Sequence, residues 1–86
     1  MNNKVLIKLT IPEIELSYDL FIPVNEFIWK VKKLIIKSVS ELSNIPLDID
    51  GNFVLINKDT CEIYNDNSIV IKTNIRNASE LILVSF

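Results

Sequence analysis

Hydrophobic and polar residues alternate along the first quarter of the chain, and a period of two is typical of half-buried β-strands. The segments KVLIKLTI (residues 4–11) and IELSYDLFIP (residues 14–23) both show it. Because only Pro12 and Glu13 make the turn between them, we predict an antiparallel hairpin, which Pro23 closes since it has no N–H to donate. The residues predicted to face the core are Val5, Ile7, Leu9 and Ile11, then Leu16, Tyr18, Leu20 and Ile22.

The period changes to 3.6 residues in VNEFIWKVKKLIIKSVSEL (residues 24–42), which predicts one amphipathic helix. Asn25 is the predicted N-cap, and we expect the helix to end near Ser43 and Asn44, because Pro46 follows. No second long helical pattern occurs in the sequence. The residues predicted to form its buried stripe are Ile28, Val31, Ile35, Val39 and Leu42.

Three shorter apolar runs complete the chain. FVLIN (residues 53–57) predicts a strand, a shorter strand is predicted around Ile63 and Tyr64, and ELILVSF (residues 80–86) predicts the closing strand. Because LILV is apolar throughout, we place the closing strand in the middle of the sheet, parallel to the first strand. The 86 residues therefore predict a single α+β domain, residues 1–86: a β-grasp (ubiquitin-like) fold with a mixed four- to five-stranded sheet and one long helix packed on one face.

The composition of the chain argues against two classes of partner, nucleic acids and membranes, and indicates a cellular compartment. The formal net charge of −2 argues against nucleic acid as a general partner. No stretch approaches the roughly 20 apolar residues that a membrane span needs, so we expect no direct membrane insertion. The single cysteine excludes an internal disulfide and fits a reducing compartment, which indicates a cytoplasmic protein.

The sequence offers little catalytic chemistry. Cys61 is the one thiol, and no histidine is present to deprotonate it. The segment DIDG (residues 48–51) has its glycine at the fourth position, whereas an EF-hand loop needs glycine at the sixth. We therefore expect a non-catalytic protein without cofactor or metal.

The fold-determining residues resemble those of a known family. YDLFIPVN, a helix ending in VSEL, INKDTCEIYNDNSI and IRNASELILV are similar to the EsaB/YukD family, ubiquitin-like accessory proteins of type VII (ESX-like) secretion in low-GC Gram-positive bacteria. This resemblance implies a cytosolic accessory or regulatory role, with components of a membrane secretion apparatus as protein partners. Cys61 and Ala78 stand where such proteins often carry turn glycines, so the conformation of those turns is an open question.

The closing residues bear on a different ubiquitin-like activity. Ubiquitin and the sulfur carriers act through an extended tail ending in two glycines, because bare backbone passes through a narrow enzyme channel. Here Ser85 and Phe86 stand in that place. We therefore expect no covalent conjugation, and a sulfur-carrier or modifier role is the disfavoured alternative. An orphan ubiquitin-like adaptor unrelated to secretion is the other alternative.

Side chains on the open face of the sheet form the first candidate binding surface. If Val5, Ile7, Val54 and Ile56 face the helix, their strand neighbours face away from it. This phase predicts an apolar patch of Leu6, Leu55, Ile82 and Val84. Two other interpretations remain: scattered surface leucines, and a patch covered by Phe86.

The helix offers a rival surface. Lys30, Lys33 and Lys37 form a stripe that could meet an acidic partner, although a solvated lysine face gives the same pattern. Trp29 lies about 100° from the core stripe by helical geometry. It is either half-buried at the helix edge or an exposed anchor of the type enriched at interfaces.

Overall fold

The computed structural model describes residues 3–86 and contains one four-stranded mixed sheet. The strands are β1 (Lys4–Ile11), β2 (Leu16–Pro23), β3 (Phe53–Asn57) and β4 (Glu80–Ser85), and they lie in the order β2-β1-β4-β3. β1 pairs antiparallel with β2 and parallel with β4, while β3 pairs antiparallel with β4. The helix α1 (Ile28–Ser43) provides the crossover that a parallel β1–β4 pair requires. The α+β, β-grasp prediction is therefore confirmed.

The predicted fifth strand is smaller than expected. Around Ile63 and Tyr64 the structure forms a single antiparallel bridge between Ile56 and Ile63. Two backbone bonds hold it: the Asn57 N–H donates to the Glu62 carbonyl at 2.8 Å, and the Tyr64 N–H donates to the Leu55 carbonyl at 3.0 Å. This segment therefore covers part of the outer edge of β3 without becoming a strand.

The hairpin and the helix bury most of the side chains that the two periods predict, while Leu16 at the start of β2 is only half-buried. Ile7, Leu9 and Ile11 are buried in β1, Ile22 is buried in β2, and Val5, Tyr18 and Leu20 pack partly buried against the same core. The buried residues of α1 are Ile28, Val31, Ile35, Ile36 and Val39.

Leu42 was predicted in the buried stripe, and that prediction is wrong. Its side chain is 60% exposed, and Val39 is the last residue of α1 that the core covers. Periodicity fixes the angle of a residue around the helix axis. It does not fix how far along that axis the core extends. Ile36, which the prediction omitted, is buried at the side of the stripe.

The beginning of α1 also differs from the prediction. Phe27, not Asn25, occupies the N-cap position, and no side chain caps the helix. Instead, the Ile28 N–H donates to the Ser68 carbonyl at 2.9 Å and the Trp29 N–H donates to the Asp66 carbonyl at 3.3 Å. Carbonyls from a distant loop thus accept hydrogen bonds from N–H groups at the start of the helix, where a capping side chain would otherwise be the acceptor. The helix ends at Ser43, with Asn44 in the left-handed region, as expected.

Candidate protein-binding surfaces

The predicted patch on the open face needs one correction, at Leu55. Leu55 has no exposed surface and lies in the core beneath α1. Its antiparallel partner is Leu83, which is also buried, and directly opposite residues share one face of a sheet. The phase predicted for β3 was therefore inverted, and Val54 and Ile56 face outward.

The corrected apolar surface is centred on the outer half of the sheet. Val54 lies opposite Val84, Ile56 lies opposite Ile82, and Ile63 joins them through its bridge to Ile56. The strand residues are half-buried, whereas Ile63 is 61% exposed. We call this group the β3–β4 patch; its members are Val54, Ile56, Ile63, Ile82 and Val84.

Leu6 does not belong to this patch, because a row of charged residues crosses the open face between them. Lys8 is directly opposite Asp19 on β2 and Glu80 on β4, and Glu80 approaches Lys58 with a nitrogen–oxygen distance of 4.0 Å. Leu6 instead pairs across strands with Phe21 on the far side of this row. The structure therefore brings Ile82 and Val84 together and separates Leu6 from them.

The aromatic and basic side chains of the helix surface make more contacts within the protein than the sequence predicts. Trp29 is 43% exposed and stacks on Phe27 with the ring centroids 6.5 Å apart. The Lys33 ammonium lies 5.8 Å from the Trp29 ring and 3.7 Å from Asp50. Lys30 pairs with Glu26 at 3.5 Å, and Lys37 is exposed. Because two of the three lysines have acidic neighbours, the stripe presents less positive charge to a partner than predicted.

A cleft of about 470 Å³ lies between this face of α1 and the beginning of β3. Trp29, Lys33 and Ile36 line one side, and Phe53 and Phe86 line the other. Lys32 spans the cleft, with its ammonium 2.6 Å from both the Phe53 carbonyl and an Asp66 carboxylate oxygen. These contacts satisfy the ammonium with the protein's own groups, as expected of a structural lysine.

A polar network lies beneath the Ile63 bridge. The Asn57 amide donates to the Tyr64 hydroxyl at 3.0 Å, and that hydroxyl donates to Asn74 at 2.5 Å. Burial raises the pKa of Tyr64 above its ordinary value. Asn57 also accepts from the backbone of Asp59 and Thr60, so it organises the turn after β3. Its hydrogen bonds are satisfied within the protein, which indicates a structural role.

Two further positions from the sequence analysis can now be described. Cys61 is an exposed thiol in a turn at φ 61°, and its N–H donates to the Asn57 carbonyl. Ser85 donates through its N–H and its hydroxyl to the Glu13 carboxylate, at 2.5 and 2.8 Å, and the Phe86 N–H donates to the Asn52 carbonyl. The last residues of β4 are thus held against the body of the domain.

Within residues 3–86, no helix has the length and apolarity to cross a bilayer. The same part of the chain contains no group of three or more histidine, cysteine or acidic side chains arranged to hold a metal ion.

Comparisons with solved structures agree on the fold. The chain superposes on an N-terminal ubiquitin-like domain with a TM-score of 0.68 at 19% identity, covering 100% of this chain and 78% of the other. A ubiquitin-like domain of an Arabidopsis thaliana protein gives a TM-score of 0.65 at 15% identity, with coverage of 98% and 79%. No protein-family model matches the sequence, and no curated protein matches it.

A third similar structure is a chain of the ESX-5 inner membrane complex. Its TM-score is 0.71 at 13% identity, and the match covers 99% of this chain but only 21% of that chain. A domain with this architecture is therefore one part of a larger protein in that complex. At these identities the three structures establish a shared fold: this chain has a ubiquitin-like β-grasp fold.

Proposed function

We propose that the protein is a non-catalytic, ubiquitin-like protein-binding module that acts in the cytoplasm as an accessory component of a type VII secretion apparatus. The observation that carries the binding role is the β3–β4 patch, where five aliphatic side chains meet on the open face of the sheet. Contiguous apolar surface bordered by charged residues is typical of protein interaction sites. Ile63 is the most accessible member and would contact a partner first.

The secretion role rests on two independent similarities. The sequence resembles the EsaB/YukD family over nearly its whole length, and a chain of the ESX-5 inner membrane complex contains a domain of the same fold. The expected partners are cytosolic parts of the membrane proteins of such an apparatus. Inspection of neighbouring genes offers a first check: we expect genes for a membrane ATPase and for small helical secreted proteins.

A matched pair of isoleucines tests the binding surface. Ile63 is 61% exposed within the patch, and Ile71 is 52% exposed in the 3₁₀-helix Val70–Lys72, beside Val24. Both Ile63→Asp and Ile71→Asp should change the free energy of unfolding by about 0.5 kcal/mol or less, as at ordinary surface sites. Only Ile63→Asp should weaken partner binding, by more than about tenfold, because it would bury an unpaired carboxylate at the interface.

Photo-crosslinking identifies the partner in the same experiment. A photoreactive residue at position 63 should crosslink to a membrane component of the secretion apparatus in cells, and one at position 71 should not. Equal crosslinking from both positions would contradict the patch. A specific partner outside any secretion apparatus would support the orphan adaptor instead. Binding that survives Ile63→Asp but is lost with Lys33→Glu would assign the interaction to the helix surface.

A further inference from the structure

Acidic residues border the β3–β4 patch on three of its sides. At one end, the Glu13 carboxylate accepts the N–H and the hydroxyl of Ser85, the last residue of β4. At the other end, Asp59 is exposed in the turn that follows β3. Glu62, which is also exposed, directly precedes Ile63 at the outer edge of the patch. The three carboxylates therefore lie around the apolar centre and not within it.

These carboxylates carry charge that the protein itself does not neutralise. Within residues 3–86, no salt bridge involves Glu13, Asp59 or Glu62. Glu62 accepts a hydrogen bond from a neutral amide, that of Asn74, at 3.3 Å. The two hydrogen bonds that Glu13 accepts, the backbone bond first, hold its pKa below the ordinary value, so this carboxylate is ionised at neutral pH.

Two lysines near the patch already face other carboxylates. Lys58 follows β3 and approaches Glu80 with a nitrogen–oxygen distance of 4.0 Å. Lys8 is directly opposite Glu80 on β4 and Asp19 on β2. Both lysines thus belong to the row of charged residues beside the patch, where acidic side chains offset their charge. The border of the patch therefore has an excess of negative charge.

The acidic groups at the two ends of the patch are separated by the length of β3. Ser85, which Glu13 contacts, is opposite Phe53, the first residue of β3. Asp59 follows the end of that strand at Asn57. At about 3.3 Å per residue, a strand of this length spans about 13 Å. That distance exceeds the Debye length of about 8 Å at physiological ionic strength, so each carboxylate acts on its own partner charge.

A partner contacts this surface through side chains. The backbone N–H and C=O groups of a sheet point toward the neighbouring strands, so its open face presents side chains alone. A partner with acidic groups at the border would place carboxylates beside carboxylates, and like charges across an interface weaken binding. Basic groups at the same positions strengthen it and speed the encounter. Charge complementarity therefore selects the class of partner.

We propose that the partner of the β3–β4 patch is a basic protein segment, in which lysine or arginine side chains about 13 Å apart flank an apolar stripe. The stripe contacts Ile56, Ile63 and Ile82. The flanking cations lie beside the carboxylates of Glu13 and Asp59. This inference rests on the binding role proposed above for the patch, and it specifies the chemistry of the partner. An acidic segment does not fit, and neither does a second copy packed through the same acidic border.

The test uses the full chain and a pair of synthetic helical probes. The basic probe is acetyl-Lys-Lys-Leu-Ala-Ala-Leu-Leu-Ala-Ala-Leu-Lys-Lys-amide, with a hydrocarbon staple in place of the alanines at its fourth and eighth positions. The staple lies on the face opposite the leucines and holds the probe helical. The inner lysines are nine residues apart, which is about 13 Å in an α-helix. The acidic probe has glutamate in place of every lysine.

An NMR titration of ¹⁵N-labelled protein compares the two probes. We expect the basic probe to shift the amides of Ile56, Ile63 and Ile82. At low ionic strength it should bind about tenfold more tightly than the acidic probe, because exposed ion pairs replace like-charge contacts at both ends. The difference should shrink as salt is added, since exposed charges are screened.

Charge reversal at the border of the patch tests the specificity. Asp59→Lys should lower the preference for the basic probe by about threefold or more, because it removes an attractive charge and adds a repulsive one. Asp59→Asn, which only removes the charge, should lower it by a smaller factor. Glu41→Lys is the matched control: Glu41 is an exposed residue of α1, which packs on the other face of the sheet, and its reversal should leave the preference unchanged.

Equal affinity of the two probes, tighter binding of the acidic probe, or no binding of either would overturn the inference. So would a preference that Asp59→Lys and Glu41→Lys change equally. Ile63→Asp separates this failure from failure of the proposed function. If both probes bind equally and Ile63→Asp abolishes their binding, the patch keeps its binding role and only the basic partner is wrong. If the probes bind and Ile63→Asp leaves their affinities unchanged, the patch is not the binding site and both proposals fail.

Discussion

At the scale of single residues, the tight turns of this protein are made almost without glycine. Among residues 3–86, Glu15, Asn44, Cys61 and Ala78 have positive φ angles of 56°, 57°, 61° and 71°. Asparagine tolerates this left-handed conformation, which suits Asn44 at the end of α1. Cys61 and Ala78 adopt the backbone conformation that glycine favours, so the two turns keep their geometry at the cost of local strain.

We expect Ala78→Gly to stabilise the protein by roughly 0.5–1 kcal/mol. The left-handed conformation costs an ordinary residue roughly 1–2 kcal/mol, and the added flexibility of glycine in the unfolded chain offsets part of the gain. The Ala78 N–H would still donate to the Leu6 carbonyl. Chemical denaturation measures the change. Lys72→Gly, at an exposed residue without positive φ, is the control and should lower stability. A loss of stability in Ala78→Gly would show that the turn carries no strain.

At the scale of elements, the end of β4 is joined to the 3₁₀-helix Pro12–Ile14 through one carboxylate. Glu13 accepts the Ser85 N–H and the Ser85 hydroxyl, across a separation of 72 residues. These hydrogen bonds to the charged form, the backbone bond first, hold the pKa of Glu13 below its ordinary value. The contact links the β1–β2 connection to the last strand of the sheet.

This pKa shift predicts how the junction responds to acid. Because the folded pKa is lowered, the stabilisation is complete above the ordinary pKa of glutamate and is lost as pH falls through the lowered value. In an NMR titration, the Ser85 amide proton should therefore shift in step with the Glu13 carboxylate, at a midpoint below the ordinary glutamate pKa. Glu13→Gln should remove the transition, and Glu15→Gln should leave it in place. A Ser85 amide that does not respond to pH would contradict the contact.

The elements also show where sequence patterns suffice. The alternation in β1 and β2 gives both the strands and their inward faces, because each contains several repeats of period two. FVLIN has no such alternation, since four of its five residues are apolar. The predicted phase, with Leu55 outward, would also place Asn57 outward, but Asn57 faces the core, 8% exposed, and is accommodated there by Tyr64. With Asn57 facing the core, the inward and outward faces of β3 are the reverse of those predicted. No local sequence pattern indicates this contact.

Only part of the candidate binding surface could be predicted from the sequence. Ile82 and Val84 were placed outward correctly, opposite to Leu81 and Leu83, although LILV is apolar throughout and its local pattern does not set the phase. Ile63 was missed as a surface residue because its position depends on a single bridge to Ile56. The cap of α1 could not be predicted for the same reason, because carbonyls of the distant residues Asp66 and Ser68 replace a capping side chain. Local patterns predict faces, whereas contacts between distant segments decide register and capping.

At the scale of the whole molecule, the sheet order separates two surfaces of different kinds. The β3–β4 patch is a set of side chains on the open face, and the β2 edge is a row of backbone groups beside a groove. β1 lies between them, and β1 and β4 together hold most of the buried strand residues. The two surfaces therefore lie at opposite ends of the sheet.

Hydrogen exchange of the free protein tests this arrangement in one experiment. In β2 we expect a period of two: the amides of Leu16, Tyr18, Leu20 and Ile22 should exchange at least about tenfold more slowly than those of Ser17, Asp19 and Phe21, since only the former donate to β1. β1 lies between two neighbours, so its amides from Lys8 to Thr10 should all be protected. Uniform protection along β2 would mean that its edge is covered in solution, and uniform exchange would mean that the β1–β2 register is wrong. The alternating result alone agrees with the β1–β2 register and with β2 as the outer strand of the sheet.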